Sequence, residues 1–320
     1  MLSKKKIVVG ARASLLSVSQ ASEVIKLLKI KFPQHSFSLK KILTSGDNKS
    51  RALSKVRGKY WQGNDTGIFV KEIEEALLTG KIDLAVHSLK DLPCALPDGL
   101  ELAAVTQRLD PRDCIIFRDK HKAAQLKKGV IIGTSSLRRQ AQLLHWRPDL
   151  KLKELRGNLD TRIEKLINGE FDAIVVALAG LKRLGLGYRN LSVEAIAPWI
   201  ILPAPGQGAL GIEARSEDKI IKAIAKKINH RTTFLCTACE RAFLKELGGG
   251  CRLPLGALAE IKAGQVHLQV VVANQNGKRI IRLSRSAPLK EAESLGRQLA
   301  RAVSNRGGWE ILKEAKGLEK

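Results

Sequence analysis

Apolar residues along the first two-thirds of the chain fall into short dense runs separated by longer periodic stretches. The runs at 7–9, 37–43, 82–86, 130–134, 151–155 and 173–177 read as strands. The stretches at 15–31, 68–79, 137–145 and 159–168 read as helices. The helix from Ile68 starts after Thr66 and Gly67, repeats Ile68, Phe69, Ile73, Ala76 and Leu77, and stops at Gly80. Strands alternating with helices predict βαβ units and mostly parallel sheets. After about residue 230 the order changes to a helix through Arg241 to Leu247, strands at 265–273 and 279–286, and a helix over about 289–303. That order predicts a small α+β domain.

The fold class is therefore α/β, with two lobes and a small C-terminal α+β domain. The segment Asp98 to Asp113, rich in proline and charge and containing DPRD, separates the first α/β unit from the second. LPAPGQG at 202–208 reads as a second hinge, and the strand Ala209 to Ala214 returns to the first unit. The expected domains are 1–106 with 209–226, then 112–202, then 231–320. Two units joined by two crossings predict a ligand cleft, with site residues in loops at strand ends.

Composition narrows the class. A chain of 320 residues with 44% apolar content suits a soluble globular protein, so disorder is not the default. Fifty-six Lys plus Arg against 31 Asp plus Glu give a formal charge of +25, which favours anionic partners. Much of that charge is scattered, as at Lys127 with Lys128 and Lys226 with Lys227, so it selects no partner by itself. The N-terminus passes from three lysines into Ile7-Val8-Val9 with no long apolar segment, so no signal peptide is expected; no spanning helix is read elsewhere, and the cysteine usage makes a reducing cytoplasm the expected setting. Cysteines at 94, 114, 236, 239 and 251 form an odd, irregular set that argues for reduced thiols. Cys236 and Cys239 make a CxxC on a helix, where residues three apart share a face; no second pair completes a metal site.

Cys251 stands behind three glycines in GGGCRLP, a support that lets the backbone approach a ligand and presents the thiol for a covalent bond. A small hydrophobe in a glycine-rich turn is the plainer reading of that loop alone. GTSSLRRQ is a strand-to-helix junction where Ser135 or Ser136 can cap the helix and Arg138 with Arg139 stand in its first turn. Cations there oppose the helix dipole, so the pair points to carboxylate or phosphate binding. LRGNLDTR places Arg156 and Arg162 at the next junction, and AGLKRLGLG places Arg183 after the following strand. Arg12 and Ser14 follow the first strand. VHSLKDLP joins a strand to a loop with His87, Ser88, Lys90 and Asp91, the one carboxylate among these cationic motifs. Such an aspartate either closes a turn or balances cationic intermediates and shuttles protons.

Taken in order, VHSLKDLP, PRD, GTSSLRRQAQL, RPDL, LRGNLDTRIEKL, AGLKRLGL, LPAPGQGALGIE and ERAFLKELGGGC span almost the whole chain. This series resembles the porphobilinogen deaminase family, also called hydroxymethylbilane synthase. The resemblance implies two lobes like type II periplasmic binding proteins and a C-terminal domain carrying a cofactor cysteine. It implies that Cys251 holds a dipyrromethane, built from porphobilinogen, through a thioether. It implies a transferase of tetrapyrrole biosynthesis that deaminates four porphobilinogen molecules, joins them head-to-tail onto that primer, and releases hydroxymethylbilane by hydrolysis. Asp91 matches the catalytic aspartate. Lys90, Asp91, Ser136, Arg138, Arg139, Arg156 and Arg162 match cofactor-binding positions, and Arg12, Ser14, Arg156, Arg183 and Gln207 match substrate-binding ones.

Each pyrrole brings an acetate and a propionate, so a full chain with its primer presents about a dozen carboxylates for Arg and Lys to hold. By the same resemblance the protein is a monomer with no metal, no membrane and no obligate nucleic-acid partner. The chain departs from the family pattern at Tyr60 to Thr66, an apparent insertion in the expected active-site loop near Lys55, Lys59 and Phe69, and at Ala11, where threonine is common. A second class of reading stays open from residues alone: a non-catalytic bilobal protein that traps a polycarboxylate or binds nucleic acid.

Overall fold

The computed structural model describes residues 6–44, 70–118, 126–185, 191–249 and 253–315. Cys251 and the stretch with Lys55, Lys59, Tyr60 to Thr66, Ile68 and Phe69 lie outside them. The chain divides into two units, Met1–Arg108 with Ala209–Phe234, and Leu109–Gly208 with Leu235–Lys320.

The chain opens with β1 (Lys6–Arg12), α1 (Leu15–Lys31), β2 (Ser36–Ile42), α2 (Lys71–Leu78), β3 (Leu84–Ser88) and β4 (Leu100–Val105). The second unit follows as β5 (Asp113–Phe117), β6 (Ile131–Gly133), α3 (Leu137–Trp146), β7 (Lys151–Lys153), α4 (Leu159–Ile167), β8 (Ala173–Ala177), α5 (Leu178–Leu184) and β9 (Ser192–Ala195). β10 (Leu210–Arg215) and α6 (Lys219–Lys226) return to the first unit. The last stretch is α7 (Arg231–Glu246), β11 (Leu255–Lys262), β12 (Gln265–Ala273), β13 (Ile280–Pro288), α8 (Ala292–Ser304) and α9 (Gly308–Ala315).

Sheet order in the first unit is β2-β1-β3-β10-β4 and in the second β7-β6-β8-β5-β9. β1 runs parallel to β2 and β3, and β6 parallel to β7 and β8. Each sheet contains one reversed strand: β10 is antiparallel to β3 and β4, and β5 to β8 and β9. These are the two strands that enter a unit directly from the other one. They arrive without a crossover helix to turn them, so the βαβ rule that makes their neighbours parallel does not apply.

Burial on both faces explains why β8 reads as an unbroken apolar run and why β5 is apolar after Asp113. Ile115, Phe117, Ala173 and Val175 pack on one side with Ile132 and Leu143. Cys114, Ile116, Ile174 and Val176 pack on the other with Ile163 and Leu166. In the first unit α1 buries Ala21, Val24 and Leu28 in one cluster with Ile7, Val9, Leu84 and Ile212. Its start is capped by Ser14, whose hydroxyl accepts from the Ser17 amide at 3.3 Å.

One expectation needs correction and another gains detail. The segment Asp98 to Asp113 is not all boundary, because β4 lies within it, pairing with β10 through Leu100 to Val105. Its polar flanks hid a short strand. The segment 202–208, read as a hinge, ends where the second unit gives way to the first, and it is tied by hydrogen bonds inside the second unit. Leu202 exchanges hydrogen bonds with Gln142, Gln207 donates to Asp113, and Gly206 N donates to Glu240.

The three-stranded antiparallel sheet β11-β12-β13 docks on α3 through the turn between β12 and β13. Gly277 sits at φ +71°, and a Cβ there would lie 2.7 Å from the His145 amide and closer still to the Ala141 carbonyl. His145 Nδ1 donates to the Gly277 carbonyl at 3.1 Å, and Arg282 Nη2 donates to Gln142 Oε1 at 2.9 Å. Gly277→Ala is therefore expected to cost about 1–3 kcal/mol. A urea titration checks this, and an unchanged midpoint would show that the turn does not bear on α3.

Candidate functional site

In the first unit the site candidates gather at the ends of β1 and β3. A single 3-10 turn, Leu89–Asp91, follows β3. Leu89 and Leu92 are buried with Val70, Val105 and Ala209, and the Leu89 amide donates to the Ala209 carbonyl at 3.1 Å. Burial of those two leucines turns Asp91 to the surface, where no described side chain pairs with it. Lys90 is half-buried beside it. Ser88 and the buried Gln20 exchange hydrogen bonds at 2.8 and 3.1 Å, tying the turn to α1. Arg12 ends β1, and Ser14 is occupied as the helix cap.

Behind the turn lies a buried cluster that sequence reasoning missed. His87 Nε2 and Glu213 Oε2 are 2.9 Å apart, at 4% and 0% side-chain exposure. Glu74 is buried nearby on α2. Burial, with Glu213 adding, raises the Glu74 carboxyl above its ordinary value, and His87 opposes this. His87 follows the apolar run of β3, a strand buried on both faces, but nothing local announces Glu213, 126 residues on.

In the second unit the candidates sit at the ends of β6, β7 and β8. Ser136 is the N-cap of α3 by backbone position, yet neither serine caps by its side chain. Ser135 Oγ instead donates to the Leu155 carbonyl at 2.6 Å and accepts from the Leu155 amide at 3.0 Å, joining two strand-end loops. Arg138 and Arg139, expected to face a ligand, are each 5% exposed and converge on the fully buried Asp113. Arg138 Nη1 donates to Asp113 Oδ2 at 2.7 Å and to the Leu202 carbonyl at 2.7 Å. Arg139 donates to Asp113 Oδ1 through Nε at 3.0 Å and Nη2 at 2.8 Å, and through Nη1 to the Val175 carbonyl at 3.1 Å.

Burial pulls the Arg138 guanidinium below its ordinary value, while Asp113 pulls it up. Gln207 joins the same carboxylate at 3.0 Å. PRD was noted as a motif, but its aspartate as a hub was not legible, because its partners are 25, 26 and 94 residues away. Of the other arginines, Arg156 is exposed and pairs with Glu154 at 2.7 Å. Arg162 Nε donates to the Gly157 carbonyl at 2.8 Å, and Arg183 Nη1 to the Gly208 carbonyl at 3.1 Å. Cys236 and Cys239 lie buried on α7, and burial pushes the Cys239 thiol up to about 12. Cys114 is pushed to about 12 for the same reason. Among the described residues no cluster of three metal-ligating side chains occurs, and no helix is long and apolar enough to cross a membrane.

Both units are mixed α/β folds with arginines at their strand ends, and the aspartate that follows β3 has no side-chain partner among the described residues. The sequence profile described as "Porphobilinogen deaminase, dipyromethane cofactor binding domain" matches residues 7–223, and "Porphobilinogen deaminase, C-terminal domain" matches residues 234–305. The chain belongs to the porphobilinogen deaminase family. It is 44% identical over 308 residues to the porphobilinogen deaminase of Syntrophomonas wolfei, covering 96% of this chain and 98% of that protein. The Chromobacterium violaceum protein of the same name is 46% identical over 94% of this chain and 95% of its own length. That of Thermus thermophilus is 44% identical over 96% and 98%. Among solved structures, the periplasmic VFT2 domain of Bordetella pertussis BvgS aligns over 70% of this chain and 85% of that one, with a TM-score of 0.39 and 14% identity, too distant to bear on the site.

Two outcomes are expected. A carboxyl raised on folding binds protons more readily in the folded state, so its contribution to stability falls as pH rises. Glu74→Gln should therefore raise the urea midpoint at pH 7 relative to the parent and lose that advantage as pH falls towards 4; an equal gain at both pH values would contradict the buried charge. Thiols near 12 are almost wholly protonated at pH 8, so iodoacetamide should label Cys114 and Cys239 at least about a hundredfold more slowly in native than in denatured protein.

Proposed function

We propose that this chain deaminates porphobilinogen and joins four such molecules head-to-tail onto a dipyrromethane bound covalently to Cys251, releasing hydroxymethylbilane by hydrolysis. The observation that carries the reading is Asp91: the leucines on either side of it are buried, its carboxylate is exposed with no partner among the described residues, and it stands in the motif where the family has its catalytic aspartate. A carboxylate so held can accept a proton at its oxygen and offset positive charge on a neighbouring pyrrole.

A polycarboxylate fits the residues present, because among the described residues the buried guanidiniums of Arg138 and Arg139 face one carboxylate, Asp113. Lys90, Ser136, Arg138, Arg139, Arg156 and Arg162 are the residues proposed to hold the dipyrromethane, with Asp91 among its neighbours. When bound, that group supplies the nucleophilic pyrrole carbon on which the product grows. Arg12, Ser14, Arg156, Arg183 and Gln207 are assigned to the incoming substrate. Guanidinium groups suit this work because their planar fork matches a carboxylate. The reading includes three domains (1–106 with 209–226, 112–202 and 231–320), a monomeric state and a cytoplasmic setting. Free thiols at Cys114 and Cys239 agree with a reducing compartment.

Denaturing mass spectrometry should find a covalent dipyrrole increment on the parent and none on Cys251→Ser. Asp91→Asn should keep the fold and lower turnover of porphobilinogen by about 10² or more. Bare, folded parent that leaves porphobilinogen unconsumed would overturn the reading, and near-parental turnover in Asp91→Asn would remove the aspartate from its role.

A further inference from the structure

One carboxylate and two guanidinium groups share the buried space where β5 begins and α3 starts. Asp113 Oδ2 accepts from Arg138, and Oδ1 accepts from two nitrogens of Arg139 and from Gln207 Nε2. Among the described residues no second carboxylate pairs with either arginine. Among the described residues the cluster therefore carries one unit of uncompensated positive charge, in surroundings that screen it poorly. Such a charge is costly to bury unless a counter-charge reaches it.

We propose that Asp113 is a positioning residue that orients the Arg138 and Arg139 forks and, by compensating only one of them, leaves the pair able to take one carboxylate of the pyrrole chain. Gln207 acts through the same group. Its amide nitrogen donates to Asp113 Oδ1 and to the Pro111 carbonyl at 2.7 Å, and its side chain is buried, so it steadies Asp113 from the segment 202–208. The Arg138 carbonyl and Leu202 carbonyl both accept from Gln142, which anchors the arginine's backbone to that segment. The identity of the anion as a pyrrole carboxylate rests on the reading under Proposed function; the charge count does not.

The test separates orientation from charge. Thermal unfolding of the full chain in a primer-free Cys251→Ser background is followed with succinate as probe, against sodium chloride at equal ionic strength. Turnover of porphobilinogen is measured on the same substitutions with Cys251 intact. Succinate should raise Tm beyond the salt control. Asp113→Asn should lower Tm without succinate by roughly 5 °C or more, because it weakens a buried ion pair. It should also enlarge the succinate-induced rise, because two positive charges then stand uncompensated. Its turnover should fall at least tenfold and recover in part in Asp113→Glu. Arg138→Gln should abolish the succinate effect.

A merely structural aspartate would give Asp113→Asn a smaller or equal succinate rise, and that result overturns the proposal. Should Asp113→Asn not fold, Gln207→Leu keeps the charges and removes the support. It should retain the succinate rise while turnover falls several-fold, and unaltered turnover would count against the role. An unmodified, inactive parent with the succinate order intact would sink the functional reading and leave Asp113 standing. A modified, active parent without the enlarged rise would do the reverse.

Discussion

The attraction between the buried Asp113 carboxylate and the guanidiniums of Arg138 and Arg139 organises the second unit. Asp113 opens β5, the strand that enters from the first unit; the arginines open α3; and Gln207 brings in the segment that leads back out. Three parts of the chain distant in sequence are fixed against one another by one group. In a low-dielectric interior, removing any member leaves charge or hydrogen-bonding capacity unsatisfied, which makes the arrangement hard to vary in part. The same interior makes the leftover positive charge effective toward an anion.

The surrounding architecture serves that arrangement. Sandwiching β5 and β8 between two apolar layers holds the strand ends in place. The docking of the β12–β13 turn on α3, through Gly277 and Arg282, makes the C-terminal sheet part of the same unit as the arginines. In the first unit the logic is different. There Leu89 and Leu92 do the holding, and the exposed Asp91 between them is free of any protein partner among the described residues. A carboxylate that handles protons benefits from being unpaired, whereas one that positions cations must be paired. Asp91 and Asp113 occupy those opposite environments.

Much of this was legible in the residues. Helix α1 spans the 15–31 stretch that its apolar pattern marked, and β8 and β12 match their runs, because burial on both faces leaves a continuous signal. Short elements such as β4 and β9 were not visible, since β4 buries only three positions and β9 none, too little to stand out from chance. The arginine pair was found from its charge and its place at a helix start. Its burial under Asp113 was not, because a composition signal cannot tell a surface cation from a buried one whose partner lies far along the chain. Ser135 and Ser136 show the same limit: the cap pattern was present, but Leu155 offered one of the hydroxyls a better partner.

The most direct test is a high-resolution crystal structure of the protein purified with its dipyrrole attached. Asp113 should still accept from both arginines at the distances seen here, 2.7 Å to Arg138 and 2.8 to 3.0 Å to Arg139, while a pyrrole carboxylate contacts one of the two guanidiniums. An Asp113 that has released the arginines, or pyrrole carboxylates held elsewhere with none at this pair, would contradict the account.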